Sequence, residues 1–384
     1  MKKTEITIIG AGPAGATAAL YLANKGIPCT LVDKSHFPRE KVCGDALGEF
    51  VISVLGKISP KLLASFMDNV EKINFQVARF TSPNFRTVHY KTNFHSSIGQ
   101  AGGFVVKRID FDNFLVSEIR KQGLIRFHEG INIKGCERKD GKMAVFDKDK
   151  TCYLESKLVI FANNIQTPLH HGLTRQPVQK AKMYYAHRAY FSNVSFEDKN
   201  NLEIYYLKDI LPGYFWIFPS TKEQANVGLH VPAKKGQKKL NPRNYFDQLI
   251  QNDPFFKQKF ENAKQVTKWK GMMIPYGPKF KQLSGSHYMV AGDAAFTSNP
   301  VTGEGIGPAM YSGLFAGVQA EKCAIAGNYS ASFIKGYDEM MKTKFKRLNK
   351  LFHLAKQLFS NKLTMEFIFK LMMEKGKLAA VLRV

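Results

Sequence analysis

Four residues near the N-terminus have the types and spacing to hold a pyrophosphate. Gly10, Gly12 and Gly15 fit G-x-G-x-x-G within EITIIGAGPAGATAALYLANKGIPCTLVDKS, and Asp33 follows Gly15 by 18 residues. In this pattern the first glycine permits a tight turn and the second lets the backbone approach a pyrophosphate. The third lets a helix pack close to a strand. Pro13 and Ala14 stand between the glycines, where the helix N–H groups would face the phosphates. Asp33, at the tip of the next strand, is placed to accept hydrogen bonds from a ribose, which favours FAD or NAD over NADP; Lys34 beside it is a further candidate contact. About 280 residues after Gly15, VAGDAAFTSNPVTGEGIG (290–307) ends an apolar run at Gly292 and Asp293. Pro300, Gly303 and Gly305 follow before a small-residue helix begins near Ile306. An acid and so much backbone freedom at that place suggest that the two stretches hold one long ligand.

The elements that must position these residues are legible from the pattern. Ile6–Ile9 is a short β-branched run, Ala16–Asn24 reads as a helix ended by Gly26, and CTLVD is the second strand of a β-α-β unit. HYMVAGDAAF reads as the last strand of the same sheet. Strand-like alternation recurs in INFQVARFTS, FRTVHYKTNF, MYYAHRAYFSNV and NLEIYYLKDI, which argues for a second, mostly antiparallel sheet. In LPGYFWIFPSTKEQANVGLHVP, alternation puts Tyr214, Trp216 and Phe218 on one face of a strand. From residue 341 to 384, eleven Lys and Arg face only Glu366 and Glu374. Leu348, Leu351, Phe352, Ala355, Leu358 and Phe359 recur there at three- and four-residue spacing. That is a basic amphipathic helix pair, suited to capping the dinucleotide-binding domain or to docking on an anionic membrane.

A chain of 384 residues allows two to three domains, and its 44% hydrophobic content is ordinary for a globular protein. The net charge of +25 reads first as a solvated Lys-rich surface and next as attraction to an anionic membrane or acidic partner. No recognition motif accompanies it, so nucleic acid is not expected as a partner. The five cysteines, Cys29, Cys43, Cys136, Cys152 and Cys323, are odd in number and lack C-x-x-C spacing, which argues against a disulfide framework or metal site and for a reducing compartment. The uncharged run Ile6–Asn24 imitates a signal peptide, but three glycines and a proline interrupt it; a cytoplasmic protein is expected. No Ser-His-Asp order, H-E-x-x-H or paired catalytic carboxylates stand out, as expected where a cofactor carries the chemistry.

One dinucleotide fingerprint with a distant Gly-Asp segment resembles the p-hydroxybenzoate hydroxylase type of FAD enzyme. FPREKVCGDALGEF (37–50) resembles the PR-x-K-x-C-G segment of the geranylgeranyl reductase family, and VKRIDFDNFL (106–115) resembles its R-x-x-F-D-x-x-L. Tyr214, Trp216, Phe218 and Pro219 match that family's Y-x-W-x-F-P, whereas flavin-dependent halogenases carry W-x-W-x-I-P. Gly228 matches the following G-x-G, with His230 in place of its second glycine. The resemblance implies an α/β protein with a Rossmann-like, discontinuous FAD-binding domain (1–70, 100–172, 280–325). A mostly antiparallel substrate domain (71–99, 173–279) is inserted into it, and a helical basic segment (326–384) ends the chain. It implies that Arg39 and Arg108 contact the flavin nucleotide and that Cys43, Gly44, Asp45 and Ala46 pass the flavin. Asp293 would bind its ribityl chain, with Gly292 allowing close approach. Pro300, Gly303 and Gly305 would turn under the isoalloxazine, and the helix from Ile306 would aim its positive end at it. Phe218, Pro219 and His230 would shape the substrate pocket, and Cys43, Tyr214 and Trp216 are the candidate catalytic residues. The family's A-D-G after a central strand is here Ala162, Asn163 and Asn164, with Asn163 at a cofactor-binding position. Loss of that acid leaves the electron donor open among NAD(P)H, ferredoxin and another flavoprotein. The implied activity is reduction of C=C bonds in a long isoprenoid or lipid-like substrate by hydride transfer from reduced flavin. Cys43, Tyr214 or water would supply the proton. A monooxygenase hydroxylating an aromatic or lipid is the alternative, and a flavoprotein that binds a redox partner or nucleic acid a weaker one. Peripheral contact with the inner face of a membrane through 341–384 would suit a lipid substrate. The oligomeric state is left open.

Overall fold

The computed structural model describes residues 2–91, 102–147, 152–164, 169, 173, 183–233, 240–276, 282–299 and 301–375. The N-terminal strand Lys2–Ile9 runs parallel to Cys152–Phe161 on one side and to Cys29–Val32 on the other. Ile6 and Ile8 are wholly buried on the face that the helices cover, and Ile9 packs on the other face with Met143 and Val145, so the β-branched run is covered on both sides. The sheet continues outward to Tyr288–Val290 and Ser284–Gly285 at one edge and to Ile125–His128 at the other. A hairpin, Gly135–Lys139 with Lys142–Phe146, adds to Cys152–Phe161 in antiparallel sense.

Helix Pro13–Asn24 follows the first strand directly. It starts three residues before the expected Ala16, because proline is tolerated in the first helical turn, where its missing N–H has no partner to lose. It packs against helix Ile306–Ala326, and glycine makes the contact close: a Cβ on Gly313 would lie 2.0 Å from the Ala14 carbonyl oxygen. This backbone contact brings the two ligand-like loops of the sequence to one end of one sheet.

The second sheet carries Met183–Ser192, Gln224–Pro232, Tyr214–Pro219 and Asn201–Tyr205 in antiparallel order, then Val77–Thr81 parallel to the last of these, then Thr87–Lys91. Lys270–Pro275 pairs with Met183–Ser192 on its free side. Alternation divides its residues as expected. Tyr214, Trp216 and Phe218 join one apolar cluster with Met365 and Phe369, while Phe215 and Ile217 join the opposite one with Phe246 and Phe256. A three-stranded sheet, Ala46–Leu47, Gly103–Val105 and Ile73–Phe75, lies between the larger two in the chain.

The basic C-terminal stretch forms two helices, Ala331–Phe359 and Lys362–Lys375. The first begins ten residues before the basic run, where Ser330 Oγ accepts a hydrogen bond from Phe333 N. Its first turns bury Ile334, Tyr337 and Met341 in the core of the parallel-sheet domain. The second places Met365 and Phe369 in the aromatic cluster of the other sheet. The pair therefore bridges both sheets rather than capping one.

Candidate functional site

The three fingerprint glycines are required for three separate reasons. Gly10 has φ +105°, and a Cβ there would lie 2.5 Å from the Ala162 carbonyl oxygen. A Cβ on Gly15 would lie 1.8 Å from Gly10 O, so only glycine lets helix and strand approach. Gly12 is different: its nearest neighbour would be Arg39 Nη2 at 3.7 Å, a flexible side-chain end. Gly12 instead faces a cavity of about 900 Å3, whose wall also takes in Gly10, Pro13, Ala14, Asp33, Lys34 and Arg39. No side chain caps the helix at Gly12, which leaves its first amides directed outward. Asp33 braces this loop, its Oδ2 accepting from Ala11 N at 2.7 Å and its Oδ1 from Ser35 N at 2.8 Å.

The same cavity reaches Gly292, Asp293, Gly303, Gly305 and Ile306, so the two loops are brought together. Gly292 (φ +65°) and Gly303 (φ +69°) both use left-handed backbone. Asp293 pairs with Lys41 at 3.3 Å. Asn299 builds the loop: its Oδ1 accepts from Val301 N at 2.9 Å and Thr302 N at 3.2 Å, and its own N–H donates to Glu304 O at 2.8 Å. Pro300 lies outside the described residues.

Between the two sheets runs the Cys43–Ala46 segment, also on the cavity wall. Asp45, wholly buried at φ +68°, accepts from Tyr190 Oη at 2.6 Å, Asn226 Nδ2 at 2.7 Å and Arg108 N at 3.2 Å. Burial pushes its carboxyl up while the Tyr190 and Asn226 hydrogen bonds oppose that. Asn226 also donates to Cys43 O at 2.8 Å and accepts from Trp216 Nε1 at 2.9 Å. Sequence reasoning passed over Asn226. The available signal was a polar residue inside the apolar run ANVGL, which a buried strand tolerates only when the amide is hydrogen-bonded.

Arg108 is held by a carboxylate of its own helix. Its guanidinium is committed to Asp112, with Nε at 3.0 Å and Nη2 at 2.9 Å from Oδ1, and the pair is buried. Arg39 Nη1 lies 3.3 Å from the same carboxylate and stacks over Phe37. Asp112 therefore holds both arginines expected to meet the nucleotide, although both line the cavity. Burial pushes the Cys43 thiol up, with Arg108 opposing, so the thiol keeps its proton.

Beyond this segment the cavity becomes apolar. Trp216, Phe218, Tyr214 and His230 line it from one side, and Phe80, Tyr206, Leu358 and Phe369 line it from others. Gly228 makes a bed for Trp216, since a Cβ there would lie 2.1 Å from the indole ring. Pro219, expected in the pocket, is not on this wall; it ends the strand opposite Ala225. His230 stacks on Tyr184 with ring centres 3.9 Å apart. Its burial, and then the charge of Lys356, push its pKa down to about 3, so the imidazole is neutral. Burial raises the Tyr214 hydroxyl, which donates to Thr302 O. Asn163 and Asn164 lie on the wall at the end of the central strand, where they bring no carboxylate.

Comparison with known proteins agrees with this geometry. Residues 183–273 match the family model of the geranylgeranyl reductase catalytic domain, and residues 8–41 match that of an NAD(P)-binding Rossmann-like domain. The chain is 27% identical over 353 residues to a digeranylgeranylglycerophospholipid reductase of Thermoplasma volcanium, covering 90% of this chain and 85% of that one. It is 29% identical over 345 residues to the reductase of the same name from Methanococcus vannielii, covering 88% and 82%. Among solved structures, a geranylgeranyl bacteriochlorophyll reductase-like protein from Thermoplasma acidophilum superposes with TM-score 0.84 at 22% identity, covering 100% of this chain and 96% of that one. The halogenase PltM in complex with phloroglucinol and FAD superposes with TM-score 0.75 at 15% identity, covering 98% and 85%. The fold is thus that of geranylgeranyl reductase-like proteins and flavin halogenases, and the curated relatives are named as reductases.

Proposed function

We propose that this chain is an FAD-dependent reductase that saturates C=C bonds of a long isoprenoid or lipid-like substrate. The observation that carries the reading is the single cavity that begins at Gly12 and ends in an aromatic chamber. Its glycine end fits the cofactor. Gly12 leaves room beside the outward amides of the first helix, Lys34, Arg39 and Lys41 supply positive charge there, and Asp33 stands at the strand tip. Gly10–Gly15 with Asp33 would hold the adenosine and pyrophosphate, and Asp293 with Gly303–Ile306 the other end. Reduced FAD held there would supply a hydride. The protein's own part is positional. Trp216, Phe218 and Tyr214 hold an apolar chain and exclude water, and the neutral His230 adds no charge to repel it. Binding such a chain gains about 25 cal/mol for each Å2 of apolar surface buried.

The lipid reading is supported by the helix pair at the C-terminus. Leu354 and Leu358 both line the cavity and are exposed, so the cavity opens beside them. Leu363, Phe367 and Met373 are exposed nearby, interspersed with Lys362 and Lys370. Apolar side chains set among lysines suit an anionic bilayer surface from which a lipid could enter. Among the described residues no helix is long and apolar enough to cross a membrane, which leaves peripheral contact as the proposed mode.

The test is anaerobic incubation of the FAD-loaded, dithionite-reduced protein with polyprenyl lipids and with aromatic candidates, followed by mass spectrometry. The reading expects two hydrogens added per double bond without oxygen. A product carrying added oxygen, formed only in air, would replace it with the monooxygenase reading.

A further inference from the structure

Glu304 was not among the candidate site residues, yet it stands between Gly303 and Gly305 on the wall of the same cavity. Two glycines make its slot: a Cβ on Gly48 would lie 3.3 Å from its Oε1, and one on Gly307 2.8 Å. Among the described residues its carboxyl accepts no hydrogen bond and pairs with no cation. The other acids of the two glycine loops, of the Cys43–Ala46 segment and at the strand tip are engaged: Asp33 with backbone amides, Asp45 with three donors, Asp293 with Lys41.

The charges around it favour the protonated form. Glu49, in the first turn of helix Glu49–Ile58, faces it with like charge. From helix Ala331–Phe359, Lys344 lies over the rings of Phe50 and Tyr311, at 4.6 and 4.5 Å, rather than against the carboxyl. On the side of the second sheet, Tyr214 donates to Thr302 O, and neutral His230 lies behind Gly303. Burial first, and Glu49 second, push the Glu304 carboxyl up to about 7. An acid that exchanges its proton near the working pH is the most effective proton donor. The two side chains considered from the sequence are less apt. The Tyr214 hydroxyl is already donated to a carbonyl, and the Cys43 thiol is pushed up by burial.

Resting on the reductase reading, we propose that Glu304 is the acid of the reduction. Its carboxyl would give a proton to one carbon of the double bond, the other carbon taking the hydride that reduced FAD would supply. The π bond would thus be exchanged for two C–H bonds, with the cofactor as the two-electron reductant. Glu304 is left as a carboxylate and regains its proton from water at the cavity mouth.

Glu304→Gln and Glu304→Asp in the FAD-loaded protein test this, since the glutamine keeps the shape and removes no hydrogen bond. Infrared difference spectra of the wild type should show a protonated-carboxyl C=O band that titrates with a midpoint of about 7 and is missing in Glu304→Gln. With flavin content unchanged, the single-turnover rate with a polyprenyl lipid should fall at least about 100-fold in Glu304→Gln. The wild-type rate should decline as pH rises through the same midpoint, the residual Glu304→Gln rate should be flat with pH, and Glu304→Asp should retain part of the activity. A Glu304→Gln enzyme with the wild-type rate and pH profile would overturn the proposal. So would an infrared band that is absent or titrates in the ordinary carboxylate range. If the wild type itself saturates no lipid, the reductase reading fails, and the infrared titration alone then decides whether Glu304 is the neutral acid assigned here.

Discussion

Replacing Asn226 by leucine isolates the contact that ties the cofactor side of the cavity to the substrate side. Leucine has the same branched skeleton and suits the strand, so the change removes three hydrogen bonds and sets two bulkier methyl groups where the amide oxygen and nitrogen stood. Two were donated, to Cys43 O at 2.8 Å and Asp45 Oδ2 at 2.7 Å; one was accepted from Trp216 Nε1 at 2.9 Å. The variant leaves a half-buried carbonyl and a buried indole N–H without partners and takes one of three donors from a buried carboxylate. At about 1–3 kcal/mol for each of the three groups affected, the total is roughly 3–9 kcal/mol. That is a large part of the 5–15 kcal/mol that holds a typical domain folded. With a urea slope of about 3 kcal/mol/M, the unfolding midpoint should fall by roughly 1–3 M. Trp216 is one of only two tryptophans, so in a Trp269→Phe background its emission reports this site directly, and it should shift in the variant. Asn226→Asp is the internal control. It keeps the acceptor for Trp216 but sets a second carboxylate against Asp45, so one of the two carboxyls must be raised. Its stability should then be present at low pH and be lost as pH rises through the raised value, the reverse of an ordinary ion pair. A leucine variant with an unchanged midpoint, unchanged Trp216 emission and unchanged FAD affinity would refute the reasoning.

Further outcomes separate the roles assigned to other positions. Gly12→Val should fold normally, because only the end of Arg39 lies near, yet bind FAD at least about 100-fold more weakly, a loss near 2.7 kcal/mol; full flavin content after purification would remove Gly12 from the site. Gly15→Ala should instead lower stability of the FAD-free protein by about 1–3 kcal/mol, because its Cβ meets Gly10 O; an unchanged melting temperature contradicts this. Trp216→Phe should keep flavin bound but slow turnover of a long apolar substrate about tenfold, the effect of roughly 1.4 kcal/mol of lost contact; unaltered kinetics would make Trp216 plain core. Leu363→Ser with Phe367→Ser should weaken cosedimentation with phosphatidylglycerol vesicles by about 100-fold or more, for the two side chains are 79% and 62% exposed and each contributes about 1.5–3 kcal/mol when buried in lipid; equal sedimentation of both proteins would discount this surface.

What the sequence revealed, it revealed through local spacing. Gly10, Gly12 and Gly15 fall within six residues of chain at a recognisable spacing, and the face shared by Tyr214, Trp216 and Phe218 follows from the two-residue period of a strand. That period also placed Pro219 on the opposite face, so its absence from the wall was readable. Asp112 stands four residues after Arg108, at the spacing of a helical ion pair, so that bond was readable as well. Asn226, Asn299 and Glu304 were not legible. Asn226 matters because of Cys43 and Asp45, about 180 residues earlier, and Glu304 because Gly48 leaves it room. Such roles arise from tertiary contacts, and a single sequence carries no period that would announce them.

The segment expected to pass the cofactor is held largely from the substrate sheet. Asp45 takes Tyr190 from one strand of that sheet and Asn226 from the next, and Cys43 O takes Asn226 again. The second glycine loop is held in the same way, since Tyr214 donates to Thr302 O and a Cβ on Gly303 would lie 2.7 Å from that hydroxyl. Trp216, whose ring lines the apolar chamber, is hydrogen-bonded to the amide that fixes Cys43 and Asp45. A chain lodged against Trp216 and Tyr214 therefore bears on the Cys43–Ala46 segment through two successive hydrogen bonds and on the second glycine loop through one. Binding free energies at the two ends of the cavity are then predicted to be linked, and linkage is reciprocal. An apolar ligand that tightens FAD must itself be tightened by FAD by the same factor, and replacing Asn226 should shrink that factor toward one even where each ligand still binds.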